Sequence, residues 1–342
     1  MATAAINLLD LLACPDCRAA LRREGEQLLC TGCGIDHPIR AGTPFLLPKA
    51  ERGLEIEHEA ELEVRSTYPA AIDRLLGALA RDQIVLDLGS GERQTDDPRV
   101  LLADLRFTPR VDLVSDAHVL PLRDASVDLV LAGAVFEHLR DPFAAAREIW
   151  RVLKPGGQVV ADCSFVFPFH GYPASYFHAS GEGLKRVFAD FRVITVEVPP
   201  WLMPSHGLRV ILEEWLRLCR PVHDEAKAFL AAIRELGRFD VASFDPCFDQ
   251  ASALRLAAGT CYFGIKQPNG TESVLPPPAM EAWRNDPALQ RRFPDPAVLV
   301  PTLREDAPDS FVVWAATEGR QRLPALAAWY DARPAVRKRL DR

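Results

Sequence analysis

Residues 85–105 read VLDLGSGERQTDDPRVLLADL, and this stretch decides the fold. An apolar strand over 84–88 runs straight into Gly89-Ser90-Gly91, and a second apolar run begins at Val100 and ends at Asp104-Leu105. Two glycines directly behind a strand let backbone come close to a ligand. The residues between, ERQTDDPR, are too few and too polar for a full crossover helix. The third glycine of a phosphate-binding GxGxxG is also absent. The stretch therefore predicts a nucleotide-type sheet with an irregular first connection, and leaves the ligand to be decided by what lies around it.

Working outward, strand and helix patterns alternate from about 67 to 198, which predicts a mostly parallel α/β sheet. Candidate strands are 84–88, 100–104, 113–115, 127–132, 158–164 and 191–198. Residues 135–139 read as the opening of a helix. Lys154-Pro155-Gly156-Gly157 stops the next one, since proline and paired glycines cannot continue it, and is read as architecture. The pattern turns helical over 199–253, where ILEEWLRLC and AKAFLAAIREL carry helical apolar spacing, and 259–267 reads as one more strand. PNGTESVLPPP then breaks the chain, and no chemistry is assigned to the tail. The expected organisation is a metal module over 1–48, a main domain over 49–267 with a helical insertion at about 199–253, and a linker and extension over 268–342.

A formal charge of -7 weighs against a broad nucleic-acid surface, because such affinity comes mainly from lysine and arginine neutralising phosphates. The N-terminus lacks a basic segment ahead of its short apolar run, and no apolar run approaches the roughly 18 residues of a membrane span, so a cytoplasmic protein is expected. Among eight cysteines, Cys14-Pro-Asp-Cys17 and Cys30-Thr-Gly-Cys33 form two CxxC knuckles 12 residues apart. That spacing predicts a tetrahedral four-thiolate centre for a structural zinc, with iron in a rubredoxin-like site as the alternative, no position left open for catalysis and no need of nearby His37 as a fifth ligand. The segment LLACPDC through FLLP (11–48) resembles the small zinc-ribbon proteins that activate tRNA and protein methyltransferases.

Taken in order, LDLGSGE, the AD ending at Asp104, SDAHVLPLRDASVDLVLAGAVFEHL (115–139) and REIWRVLKPGGQVV (147–160) resemble the class I S-adenosylmethionine-dependent methyltransferases. The implied fold is a Rossmann-like methyltransferase sheet with helices on both faces, carrying the zinc ribbon and the helical insertion. The resemblance implies S-adenosylmethionine as cofactor, held by Asp87, Gly89 and Gly91 at the first turn. Asp104 would take the ribose hydroxyls, Asp116 and Ala117 the adenine, and Ala134 would stand at the fourth strand end. The helix this family places between its first two strands must be short here or replaced by a loop.

In such a sheet the reacting groups lie beyond the carboxyl ends of the strands. The strand ending near Ser164 delivers FVFPFHGYPASYFHAS, with His170, Tyr172, Tyr176 and His178. A histidine accepts a proton near neutral pH without a large shift, so His170 is the first candidate base, with His178 and His138 behind it. The same groups also suit a plain packing role over the pocket. Residues 168–188 resemble a loop of methyltransferases encoded with bacterial cell-surface polysaccharide genes, although Ser175, Phe177 and His178 stand where that loop has an acid, a tyrosine and an arginine. The leading expectation is O-methylation of a glycan or small-molecule acceptor. The alternatives are an RNA methyltransferase gripping its substrate through the ribbon, and a cofactor-fold scaffold without catalysis.

Overall fold

The computed structural model describes residues 7–52, 67–171, 174–236 and 240–267. The tail beyond 267, with Trp283, Trp314 and Trp329, and the charged run 53–66 lie outside the described residues, as does Tyr172.

A short helix α1 (Leu8–Leu11) leads into the ribbon strands β1 (Leu21–Glu24), β2 (Gln27–Cys30), β3 (Asp36–Arg40) and β4 (Thr43–Leu46), which pair antiparallel in succession. Helix α2 (Ala70–Ala78) precedes β5 (Val85–Leu88), β6 (Val100–Asp104), β7 (Leu113–Ser115) and β8 (Val127–Ala132). Helix α3 (Pro142–Val152), β9 (Leu153–Ser164), α4 (Gly181–Val187), β10 (Arg192–Glu197) and β11 (Gly259–Ile265) complete the sheet. The strand order is β1-β2-β3-β4-β7-β6-β5-β8-β9-β11-β10. From β4 through β9 the pairs are parallel, while β11 enters antiparallel between β9 and β10. The order reverses at β5, so the crevice for a ligand opens beyond the carboxyl ends of β5 and its neighbours.

The ribbon is not an appendage of this sheet but its edge. Phe45 and Leu46 of β4 pair in parallel with Val114 and Ser115 of β7. Ala13 N–H donates to the Pro121 carbonyl at 2.9 Å, and Arg18 reaches the Leu120 carbonyl at 2.8 Å and Glu148 at 3.0 Å. The metal module and the main sheet thus share one hydrogen-bonded core, in which Leu12, Leu46, Leu113 and Leu122 are fully buried.

Central strands are buried along nearly their whole length, with Asp87 in β5 and the half-buried Asp128 in β8 as their polar interruptions. All four residues of β5 are buried, and so are five of the six in β8. Helix α3 starts where Asp141 Oδ1 accepts the Ala144 N–H at 2.9 Å and Pro142 fills the first turn, and it buries the stripe Ala145, Ala146, Ile149 and Val152. Two sequence expectations change. Residues 136–138 form a single 3-10 turn rather than a helix start, and β9 begins at Leu153, five residues earlier than the glycine pair suggested. The first crossover is a loop with no helix, as its polarity implied.

The second compact unit comprises 166–168 and, in its described part, 202–258. It holds α5 (Pro204–Leu218), α6 (Asp224–Leu236) and α7 (Gln250–Leu256). Buried Asp245 ties it internally, accepting the Ser205 hydroxyl at 2.7 Å. Among the described residues no helix is long and apolar enough to cross a membrane.

Candidate functional site

At the ribbon, the four cysteine sulfurs converge within 4.8 Å of one another, with Cys17 and Cys30 Sγ 3.3 Å apart and Cys14 and Cys33 Sγ 3.7 Å apart. Tetrahedral zinc–thiolate bonds put sulfurs about 3.8 Å apart, so the donor set fits that ion in kind and spacing. The N–H groups of Gly32 and Cys33 both point at Cys30 Sγ at 3.4 Å, as they would at a thiolate. His37 is fully buried behind the centre. Its Nδ1 accepts from Arg52 at 2.9 Å, which leaves the ring proton on Nε2, 3.8 Å from Cys14 Sγ. The histidine therefore orients a ligand and is not one itself.

At the reversal point, Gly89 and Gly91 both adopt left-handed backbone, with φ of 67° and 57°. A Cβ on Gly89 would run into the Val135 side chain, so close approach as well as φ demands glycine. The turn is closed onto β6: Gly89 and Ser90 donate to the Ala103 carbonyl, and Gly91 N–H donates to Asp104 Oδ2 at 2.8 Å. Asp104 Oδ1 accepts the Arg106 N–H at 2.8 Å. Burial pushes the Asp104 carboxyl up, against these two amides.

Asp87 lies beneath the turn, accepting the Tyr68 hydroxyl at 2.7 Å with Arg93 Nε 3.5 Å away. Burial raises its pKa to about 6 despite that guanidinium. Asp116, one residue past β7, is also buried, yet its pKa falls to about 2, because His118, Glu51 and the His118 amide hold the charge against desolvation. His118 Nδ1 donates to Asp116 at 2.6 Å while its Nε2 accepts the Asp141 N–H at 3.1 Å, which settles the tautomer. Glu51 comes from the ribbon's exit and also meets Arg140 at 3.1 Å. Ala117 is buried beside Asp116. Ala134 takes positive φ of 56° and donates its N–H to Asp162 Oδ1 at 2.6 Å, while Trp201 Nε1 donates to Oδ2 at 3.1 Å.

Glu137, His138 and His170 come together at the carboxyl end of β8. The His138 and His170 rings meet edge to face at 5.1 Å, and His178 lies 6.4 Å beyond His170. His170 Nε2 is 3.7 Å from Glu137 Oε1, which also accepts the Ser164 hydroxyl at 2.8 Å. Burial opposes charge on Glu137, but His170 and the other donors around it bring its pKa below the usual value.

Residues 86–161 match the family described as "Methyltransferase domain", and residues 6–42 match "Trm112p-like protein". The chain joins a Trm112p-like domain to a methyltransferase domain. The methyltransferase domain is 40% identical over 112 residues to an uncharacterized methyltransferase of Mycobacterium bovis, covering 28% of this chain and 45% of that one. The Trm112p-like domain is 42% identical over 51 residues to a UPF0434 protein of Maricaulis maris, covering 14% of this chain and 81% of that one. A solved complex between the Haloferax volcanii Trm112 methyltransferase activator and a methyltransferase aligns with TM-score 0.37 and 16% identity, over 59% of this chain and 90% of that one. The chain spans less than half the length of the curated methyltransferases it matches.

Sequence reasoning did not single out Tyr68, Arg93, Glu51 or Asp162. Asp162 had a signal, a carboxylate inside the apolar run VVADCS. Tyr68 and Glu51 are remote in sequence from the aspartates they meet and carried none, while Arg93 lies close to Asp87 but within an irregular turn that gave no sign of the pairing.

Proposed function

We propose that this chain transfers a methyl group from S-adenosylmethionine to an oxygen of a small-molecule or glycan acceptor. The observation that carries the reading is the bond from Gly91 N–H to Asp104. In a dinucleotide site that amide would face phosphate; here a carboxylate takes it, with Asp116 standing at the next strand end. An edge lined with acids repels phosphate and suits hydroxyls and a cationic sulfur. Two buried hydroxyls at the same strand ends, Ser90 and Ser115 Oγ, have no hydrogen-bond partner among the described residues, which fits an edge built for a polar ligand.

When bound, S-adenosylmethionine supplies an electrophilic methyl carbon: its bond to sulfur breaks as the acceptor oxygen's bond to carbon forms, and the electron pair returns to a neutral thioether. The chain's own part is positioning and proton removal. Asp104 would accept ribose hydroxyls through lone pairs its two amide donors leave over, and Asp116 would meet the adenine amino group. The acceptor proton passes to the histidine group of His138, His170 and His178 beyond β8 and β9. Net charge, and the acids interleaved with Arg18, Arg22, Arg23 and Arg40 in the ribbon, favour a small acceptor over RNA.

The test is calorimetry with S-adenosylmethionine, followed by label transfer into fractionated extract. Binding should weaken on the order of 10- to 100-fold in Asp104→Asn, the cost of a charge-assisted hydrogen-bond site. Label should enter a nuclease-resistant fraction. Failure to bind the cofactor at millimolar concentration sinks the enzyme reading, and label in nuclease-sensitive material replaces the acceptor class with RNA.

A further inference from the structure

We propose that Glu137, His138 and His170 form a second metal site, separate from the cysteine centre, for a divalent transition ion such as Mn2+ or Fe2+. The ligand atoms of the three lie within 4.8 Å of one another. Two imidazoles and one carboxylate are the donor set of ions that keep free positions for substrate.

Three observations make this more than a cluster. Glu137 is 1% exposed, and its Oε2 has no hydrogen-bond partner among the described residues, while Oε1 is held by Ser164. A buried carboxylate oxygen without a donor is costly, and an ion removes the cost. His138 has a fixed tautomer: Nδ1 lies 3.0 Å from the Ala174 carbonyl, which only accepts, so Nδ1 bears the proton and Nε2 the lone pair. A backbone carbonyl behind one ring nitrogen is the usual support for a ligating histidine. His170 Nε2 stands 3.7 Å from Glu137 Oε1, and its side chain retains 24% exposure, so an acceptor can reach the same point. Gly171, with φ of 88°, lets the loop pass over the His138 ring where any Cβ would collide with it.

The site's use in catalysis rests on the methyl-transfer reading. An ion there supplies Lewis-acid polarisation of an acceptor oxygen, beside the methyl donor's strand ends. His178 is then left to take the proton, its Nε2 3.1 Å from Ser175 Oγ. Binding of the ion itself does not depend on that reading, so it is measured first and without cofactor.

The full-length chain is dialysed against a chelator, its remaining zinc counted by mass spectrometry, and then titrated with MnCl2 by loss of the free-ion spin resonance signal. Mn2+ prefers oxygen and imidazole and leaves a four-thiolate centre alone. The expected result is one Mn2+ per chain, weakened at least about tenfold in Glu137→Gln and His170→Asn and to a lesser degree in Ser164→Ala. Zinc content and the thermal melt should not change in these variants. If Glu137→Gln does not fold, the other two carry the comparison. No Mn2+ binding by the folded wild-type chain at millimolar metal, or equal binding by wild type and the folded variants, overturns the site. Mn2+ binding without methyl transfer keeps the site and removes only its catalytic use.

Discussion

The cysteine ribbon and the carboxylate edge of the main sheet are both clusters of ligand-type side chains, but only one of them has its donors to itself. At the ribbon the four sulfurs face each other, and buried His37 stands behind them with Nε2 3.8 Å from Cys14 Sγ. At the sheet edge each acid is already engaged: Asp87 by Tyr68 and Arg93, Asp104 by two backbone amides, Asp116 by His118 and Glu51. A thiolate centre is made by spacing along the chain. A carboxylate edge is made by whatever the rest of the fold brings to it. On the proposed reading the ribbon acts on stability, whereas the edge would be partly displaced or shared when a ligand arrives.

The sharpest way to break this contrast is Cys30→Ser. Structural zinc is worth about 10–16 kcal/mol of folding free energy in small zinc domains. Because β4 is paired with β7, the loss cannot stay local. The variant should lose its zinc and its cooperative thermal transition together, seen by metal analysis and circular dichroism. A variant that loses zinc yet melts like wild type would show that the ribbon and sheet are not one core.

Next in size is Gly89→Ala at the edge. Left-handed backbone costs a non-glycine residue about 1–2 kcal/mol, and the collision with Val135 adds to it. Cofactor affinity should fall by about tenfold or more, since the turn must shift to relieve the clash. Unchanged affinity with lowered stability would mean the turn supports the sheet without touching ligand.

The same contrast explains what was legible in the sequence. CxxC spacing named the four cysteines whose sulfurs converge at the ribbon, because such a set is a local pattern. The strands 100–104, 113–115 and 127–132 were legible to the residue, because buried parallel strands read as mostly apolar runs between polar turns. His170 and His178 were read as loop residues and His138 as part of a helix start, but nothing showed Glu137 as the group that gathers His138 and His170, since its buried partner Ser164 lies 27 residues away. Nor did anything in the sequence show that β4 would continue the main sheet. That pairing depends on two short strands, four and three residues long, meeting across more than sixty residues of chain.

The smallest expected effect separates two acids of the same edge by the sign of their response to pH. Asp87 has its pKa raised from 3.8 to about 6 in the folded chain. The folded state then binds this proton more tightly than the unfolded one, so its contribution is full below the ordinary carboxylate value and is lost as pH rises through about 6. Asp116, lowered to about 2, does the reverse: its contribution is present above 3.8 and is lost as pH falls toward 2. Asp87→Asn should therefore stabilise the chain by about 1–2 kcal/mol near neutral pH and change little in acid. An asparagine oxygen still accepts the Tyr68 hydroxyl, and Arg93 keeps its 2.8 Å bond to the Thr67 carbonyl, so neither neighbour is stranded. Asp116→Asn should destabilise at neutral pH, with the gap closing only in strong acid. Urea melts of both variants across this range decide the matter: parallel pH profiles would mean that the two carboxylates sit in the same environment, and that the distinction between a strained acid under the turn and a satisfied one beside it is wrong.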